Sequence, residues 1–199
     1  MKTIVITGGI ATGKSTALEY LKSLDSRLIF FDSDAVVSSY LDSGSIAEEL
    51  KSVFGEGSVL SDGKANRNFL RELVFHNPEA KKKLESILHP KIRQECLALK
   101  EDTVKNTSAS GFIVDIPLFY ETGFDIGQDL VVVVSITRQT QLERLALRNG
   151  FSPDLSDSIL KAQLPLSEKE KKADVILWNE GPKNWLHQQI DLFYHHYLL

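Results

Sequence analysis

Five short runs along the chain are mostly apolar: residues 4–7, 28–31, 112–116, 130–136 and 175–178. All but the second are dense in valine and isoleucine. A strand with one face in water alternates apolar and polar positions, whereas a strand covered on both faces does not. The runs therefore predict the strands of a parallel sheet buried on both sides. Helical patterning lies between them. Residues 15–24 follow the first run as a helix. Thr137 is placed to cap a helix over 139–148, with Leu142, Leu145 and Ala146 on its apolar side. Pro182 suits the first turn of a last helix, whose apolar face is Trp185, Leu186, Ile190, Phe193 and Tyr197. Strand alternating with helix predicts a doubly wound α/β fold.

The stretch between the second and third runs is too long for a simple crossover, which needs only one helix. Its strongest helical patterns are residues 66–75 and 77–100. It is expected to be a helical insertion, approximately residues 35–105, suited to holding a second substrate. Residues 102–111 form the most loop-like segment. A polar, glycine- and proline-containing stretch after residue 148 suggests a lid over approximately 138–170.

Composition narrows the partners. The chain has 199 residues, is 42% hydrophobic and carries a formal charge of −4, so no broad basic footprint for nucleic acid is indicated. No apolar run approaches the roughly 20 residues that span a bilayer, so no membrane partner is expected. Residues 4–6 are too short a run for a signal peptide. The single cysteine, Cys96, allows neither an intramolecular disulfide nor a cysteine-built metal cage. Its spacing with Ile92 and Leu99 places it in the core, and the expected location is cytoplasmic.

The chemistry begins at "GGIATGKST", Gly8, Gly9, Ile10, Ala11, Thr12, Gly13, Lys14, Ser15 and Thr16. Gly8, Gly13, Lys14 and Ser15 satisfy G-x-x-x-x-G-K-S/T between a predicted strand and a predicted helix. Glycine permits backbone angles that turn successive N–H groups onto an anion, and the helix start adds its positive dipole end. Lys14 is expected on the β- and γ-phosphates of a nucleoside triphosphate and the Ser15 hydroxyl on Mg²⁺. Asp32 and Asp34 follow the second run and point to one side of an extended segment. They are either phosphate-facing acids, one accepting a proton from an attacking hydroxyl, or turn and capping residues, with Asp34 the cap of a helix from Ala35. Asp115 ends the third run, where a P-loop protein keeps a magnesium-binding acid. Arg144 and Arg148 share a helix face and suit a phosphate clamp, or else a solvated surface. His89 precedes Pro90 and, read by itself, is a packing or capping residue as readily as a catalyst; Lys161 and Lys169 are weaker cationic candidates. The run of Lys81, Lys82 and Lys83 reads as a solvated helix face.

Taken together, "TGGIATGKST", "FDSDAVV", "LHPKI", "VDIPLFYE", "QLERLALRNG" and "AQLPLSEKEKKADVILWNEG" resemble the dephospho-CoA kinases in order and approximate spacing. The resemblance runs from about Thr3 to Gly181. It implies a P-loop NTPase-type parallel sheet flanked by helices, with the insertion binding the CoA moiety and a lid carrying Arg144 and Arg148. It implies ATP and dephospho-CoA as small-molecule substrates, ATP and Mg²⁺ as cofactors, and γ-phosphoryl transfer to the ribose 3′-hydroxyl as the last step of coenzyme A biosynthesis. Asp34 would then be the base, Arg144 would lie on the ATP phosphates and act with Lys14 and Asp34 in catalysis, and Asn179 would approach the adenine. Asp32, His89 and Asp115 would join the substrate site, with Ser15 and Asp115 on the metal. The chain departs from the common loop GGIGSGKS at Ala11 and Thr12, and from the common "LLFE" at Tyr120. None of these changes removes a group that the reaction needs.

Overall fold

A computed structural model describes all 199 residues, the side chain of Asn149 excepted. The elements run β1 (Lys2–Gly8), α1 (Lys14–Leu24), β2 (Leu28–Asp32), α2 (Ser33–Ser43), α3 (Ala47–Phe54), a 3₁₀ turn (Glu56–Ser58), α4 (Arg67–His76) and α5 (Pro78–Lys105). They continue with β3 (Gly111–Asp115), α6 (Phe119–Thr122), β4 (Leu130–Ser135), α7 (Arg138–Asn149), α8 (Pro153–Lys161), α9 (Leu166–Lys172), β5 (Val175–Trp178) and α10 (Lys183–Tyr197). All five apolar runs are strands of one sheet, ordered β2-β3-β1-β4-β5. β1 is central and parallel to both neighbours, pairing Ile6 with Asp115 of β3 and Gly8 with Val134 of β4. β5 pairs in parallel with β4. The chain thus crosses from one side of β1 to the other between β3 and β4, which puts the ligand-binding crevice at the carboxyl end of β1.

The alternate residues Ile4 and Ile6 of β1, Ile113 of β3 and Val132 and Val134 of β4 face a core closed by Leu21 of α1 and by Leu186, Ile190 and Phe193 of α10. Each such side chain contributes about 1.5–3 kcal/mol when fully buried. That is why α10 is fastened to the sheet although its sequence is only moderately amphipathic. Two details of α10 differ from expectation. Pro182 is the capping residue, extended at ψ 144°, and the helix begins at Lys183. Trp185 is 55% exposed, and the buried face is instead Leu186, Ile190, Phe193 and Tyr194.

The chain divides into two compact units, one formed by Met1–Phe31 with Leu99–Leu199 and the other by Asp32–Ala98. The second unit is helical with one isolated bridge, Val59 to Ala65. Its core includes Ile46, Leu50, Leu70, Ile87, Ile92 and Cys96. Arg67 donates two hydrogen bonds to Asp42, at 2.8 and 3.2 Å, and Lys91 reaches Glu49 at 2.8 Å. The two best helical patterns are α4 and α5, and α5 runs on to Lys105 with Pro90 inside it. Cys96 is fully buried, but Leu99, expected beside it, is exposed. The three consecutive lysines of α5 are exposed, as their run predicts. No helix among the described residues is long and apolar enough to cross a membrane.

Candidate active site

The loop between β1 and α1 has the backbone that its glycines predict. Gly13 is left-handed at φ 89°, and Ala11 shares that region at φ 63°, the only non-glycine residue to do so among those described. A β-carbon on Gly8 would lie 2.7 Å from the Val134 carbonyl oxygen, a rigid backbone neighbour, so only glycine fits. α1 then starts at Lys14. Its first-turn N–H groups, on Lys14, Ser15 and Thr16, have no acceptor within the helix and sit at the positive end of its dipole. These are the elements of an anion cradle.

What fixes the cradle lies on its outer side. If N–H groups turn inward, the carbonyls turn outward and need donors. Each carbonyl from Gly8 to Gly13 has one. Lys169 Nζ donates to Gly8 O at 3.1 Å, and Thr12 Oγ1 to Gly9 O at 2.9 Å. Gln141 Nε2 donates to Ile10 O at 2.9 Å, and Arg144 Nη1 to Ala11 O at 3.3 Å. Asn179 Nδ2 reaches Thr12 O at 2.7 Å, and Ala17 N reaches Gly13 O at 3.1 Å. Arg144 Nη2 also donates to the Asn179 carbonyl at 3.0 Å, tying α7 to the end of β5. Glu180 completes that junction by accepting from Thr137 N at 2.6 Å and Thr140 Oγ1 at 3.0 Å; the Thr137 amide holds its carboxyl below the usual range.

The predicted residues fall into three groups. Lys14 Nζ pairs with Asp115, each side chain about five-sixths buried, so the loop lysine and the acid ending β3 meet as expected. Arg144 and Asn179 do reach the loop, but through its carbonyls. Arg148, on the same helix, is exposed, and so is Ser15. Asp32, Asp34 and His89 belong to the helical unit. There Asp32 closes β2 and is the N-cap of α2, accepting from Ala35 N at 3.0 Å. Asp34, the alternative cap, lies in the first turn of α2 instead, its exposed carboxylate at the positive end of the helix. His89 is half-buried on α5.

Sequence reasoning gave no role to Gln141, Gln163 or Glu121, and took Lys169 only as a weak cationic candidate. Gln163 Oε1 accepts from Ile10 N at 3.1 Å, so the two glutamines hold both backbone groups of Ile10. Lys169, in the charged segment "SEKEKK", is completely buried and pairs with Glu121 at 2.7 Å. All four stand in quoted motifs, but nothing local marks them as loop contacts or their partners.

A central strand running into a glycine loop and a helix, with lysine and strand-end acid paired beneath it, defines a kinase core of the P-loop NTPase type. The dephospho-CoA kinase family profile matches residues 2–184. A dephospho-CoA kinase of Geobacillus kaustophilus is 37% identical over 94% of this chain and 92% of its own length. A solved structure from Thermus thermophilus superposes with a TM-score of 0.80 at 30% identity, covering 98% of this chain and 97% of that one. The dephospho-CoA kinase of Campylobacter jejuni superposes with a TM-score of 0.64, also at 30% identity, covering 98% and 96%. The chain belongs to the dephospho-CoA kinase family.

Proposed function

We propose that this chain transfers the γ-phosphoryl group of ATP to the ribose 3′-hydroxyl of dephospho-CoA, giving ADP and CoA. The observation that carries the reading is the glycine loop with all its carbonyls held outward, inside a chain that matches the family across nearly its whole length. Lys14 exchanges Asp115 for the β- and γ-phosphates as nucleotide enters. The first-turn N–H groups of α1 bind the phosphate oxygens. Arg144 acts on the phosphates through the loop it braces, and exposed Arg148 is the arginine placed to reach them from solvent. Asp34 orients the acceptor hydroxyl and takes its proton. Phosphoryl transfer has a loose transition state, so positioning and charge neutralisation carry more of the rate than the base does.

The helical unit takes the acceptor, with Asp32 and His89 in its site, and the segment of α7 to α9 serves as the lid that excludes water. Asn179 approaches the adenine side of the loop. Mg²⁺ fits the donor set. It favours oxygen ligands and is usually held by one or two protein oxygens plus substrate phosphates. The Ser15 hydroxyl and Asp115 carboxylate are such oxygens, and no group of three or more His, Cys, Asp or Glu among the described residues builds a separate metal cage. When bound, the ion neutralises charge between the β- and γ-phosphates. The setting is cytoplasmic, with small molecules rather than nucleic acid or membrane as partners.

A coupled ADP-release assay with ATP, Mg²⁺ and dephospho-CoA, set against AMP, pantetheine and no acceptor, tests the reading. The expected result is ADP release dependent on dephospho-CoA, with a product of the mass of CoA. Release indifferent to the acceptor would leave a nucleotide hydrolase.

A further inference from the structure

Lys169 is completely buried and lies far along the chain from everything its ammonium touches. Nζ donates to Gly8 O at 3.1 Å, approaches Pro117 O at 3.5 Å and pairs with Glu121 at 2.7 Å. Gly8 is the last residue of β1, and Pro117 lies two residues past the end of β3. These strands are neighbours in register up to Ile6 and Asp115. Beyond that point they part, one into the glycine loop and the other towards α6. Lys169 sits where they part and holds a carbonyl of each, and Thr7 Oγ1 adds a second bond to Pro117 O at 3.1 Å. Glu121 in turn accepts from Leu164 N at 2.9 Å, just after Gln163, the side chain that holds the Ile10 amide.

A buried lysine needs a reason. Removing an ammonium from water costs several kcal/mol, and one carboxylate seldom returns all of it. Apolar side chains of the same volume would usually serve stability as well or better. A cation nevertheless stands behind the first peptide of an anion cradle. From there it draws the Gly8 carbonyl outward, while Glu121 balances its charge and fixes its position.

We propose that Lys169, aimed by Glu121, is a positioning residue for the nucleotide phosphates: it fixes the entry of the glycine loop against the strand end that carries Asp115. This inference rests on the reading of the loop as a nucleotide cradle. It adds that part of the cradle's shape is supplied from α9, the last helix of the proposed lid segment. The role acts on the nucleotide half of the reaction and leaves the acceptor half alone.

The test is the paired variant Lys169→Met/Glu121→Gln, which removes both charges while keeping an oxygen for Leu164 N. Binding of a non-hydrolysable ATP analogue is measured by calorimetry without acceptor, beside steady-state kinetics and thermal unfolding. We expect the dissociation constant for the analogue to rise about tenfold or more, and kcat/KM for ATP to fall about tenfold to a hundredfold, the range that a misplaced binding loop produces. The KM for dephospho-CoA and the melting temperature should stay close to the parent's. A folded variant that binds the analogue as the parent does overturns the proposal. So does an equal loss for both substrates, which marks a purely structural pair. If the paired variant does not fold, Glu121→Gln alone decides, since it leaves Lys169 with its carbonyls but without the carboxylate that aims it. Several-fold weaker analogue binding supports the role, and unchanged binding overturns it. Because the analogue is read without acceptor, the result stands apart from whether dephospho-CoA is the acceptor.

Discussion

The amide nitrogen of Asn179 occupies the space in which a side chain on Gly13 would begin, and from there it donates to the Thr12 carbonyl at 2.7 Å. One contact thus explains both a glycine and an asparagine far apart in the chain. Gly13 is required twice over, for its left-handed φ of 89° and for the room that Asn179 takes. Gly13→Ala should therefore cost more than the roughly 1–2 kcal/mol of left-handed strain alone. Its kcat/KM for ATP should fall at least tenfold. Adding Asn179→Ala should recover the crowding part of the loss but not the strain. Thermal unfolding and ATP kinetics of the single and double variants check this.

Ala11 presents the opposite case. It holds a φ of 63° with its side chain present, in a position where the common family loop has glycine. Ala11→Gly relieves strain of about 1–2 kcal/mol and gives up about 0.4–1 kcal/mol in unfolded-chain entropy. The strain is the larger quantity, so the variant should be equally stable or slightly more so, with ATP affinity unchanged or tighter. A clear fall in melting temperature would show that the methyl group has a contact worth keeping.

Lys14 and Asp34 should separate by the step they affect. Lys14→Met removes the cation that pairs with Asp115 and is proposed to move onto the phosphates, so ATP affinity and turnover should fall together. Asp34→Asn should bind ATP normally yet lose about a hundredfold in kcat, within the usual range for a positioned base. Near-normal turnover in Asp34→Asn would remove the residue from the mechanism.

Asp25 offers a pH test far from the loop. Arg27 donates to both of its oxygens at 2.9 Å and Tyr194 to Oδ2 at 2.9 Å, and the Arg27 contact holds the carboxyl well below the usual carboxylate range. A depressed acid stabilises the fold above its unfolded-state pKa and loses that contribution as the pH falls towards its folded-state value. Asp25→Asn should therefore melt below the parent at neutral pH, and the gap should narrow as the pH drops below about 4. A gap independent of pH would assign the loss to packing.

The strands were legible because a largely covered sheet demands mostly apolar runs, and all five runs supplied them, although β5 at the edge leaves Ile176 and Trp178 exposed. α9 was not legible, being short, charged and held through Lys169 to the loop, while α8, capped by Ser152 with Pro153 in its first turn, offered local signals that were read only as part of a lid. Arg144 and Arg148 of α7 look alike in sequence; only the fold half-buries Arg144 against carbonyls and leaves Arg148 in water. Lys169 was the hardest to see. It stands among exposed charges, and its acceptor Gly8 lies 161 residues earlier. Local spacing carries no signal across that distance.

The ring of donors behind the glycine loop also sets an order of events in synthesis. Gly8 to Ser15 leave the ribosome long before Gln141, Arg144, Lys169 and Asn179, and β1 has no neighbouring strand until β3 and β4 follow. The nascent segment carries the whole loop motif and its local donors Thr12 and Ala17, but lacks the four side chains that hold the carbonyls of Gly8, Ile10, Ala11 and Thr12. The outer ring of donors is therefore complete only once β5 and Asn179 just beyond it are in place, so the loop's final shape depends on the last-made part of the sheet.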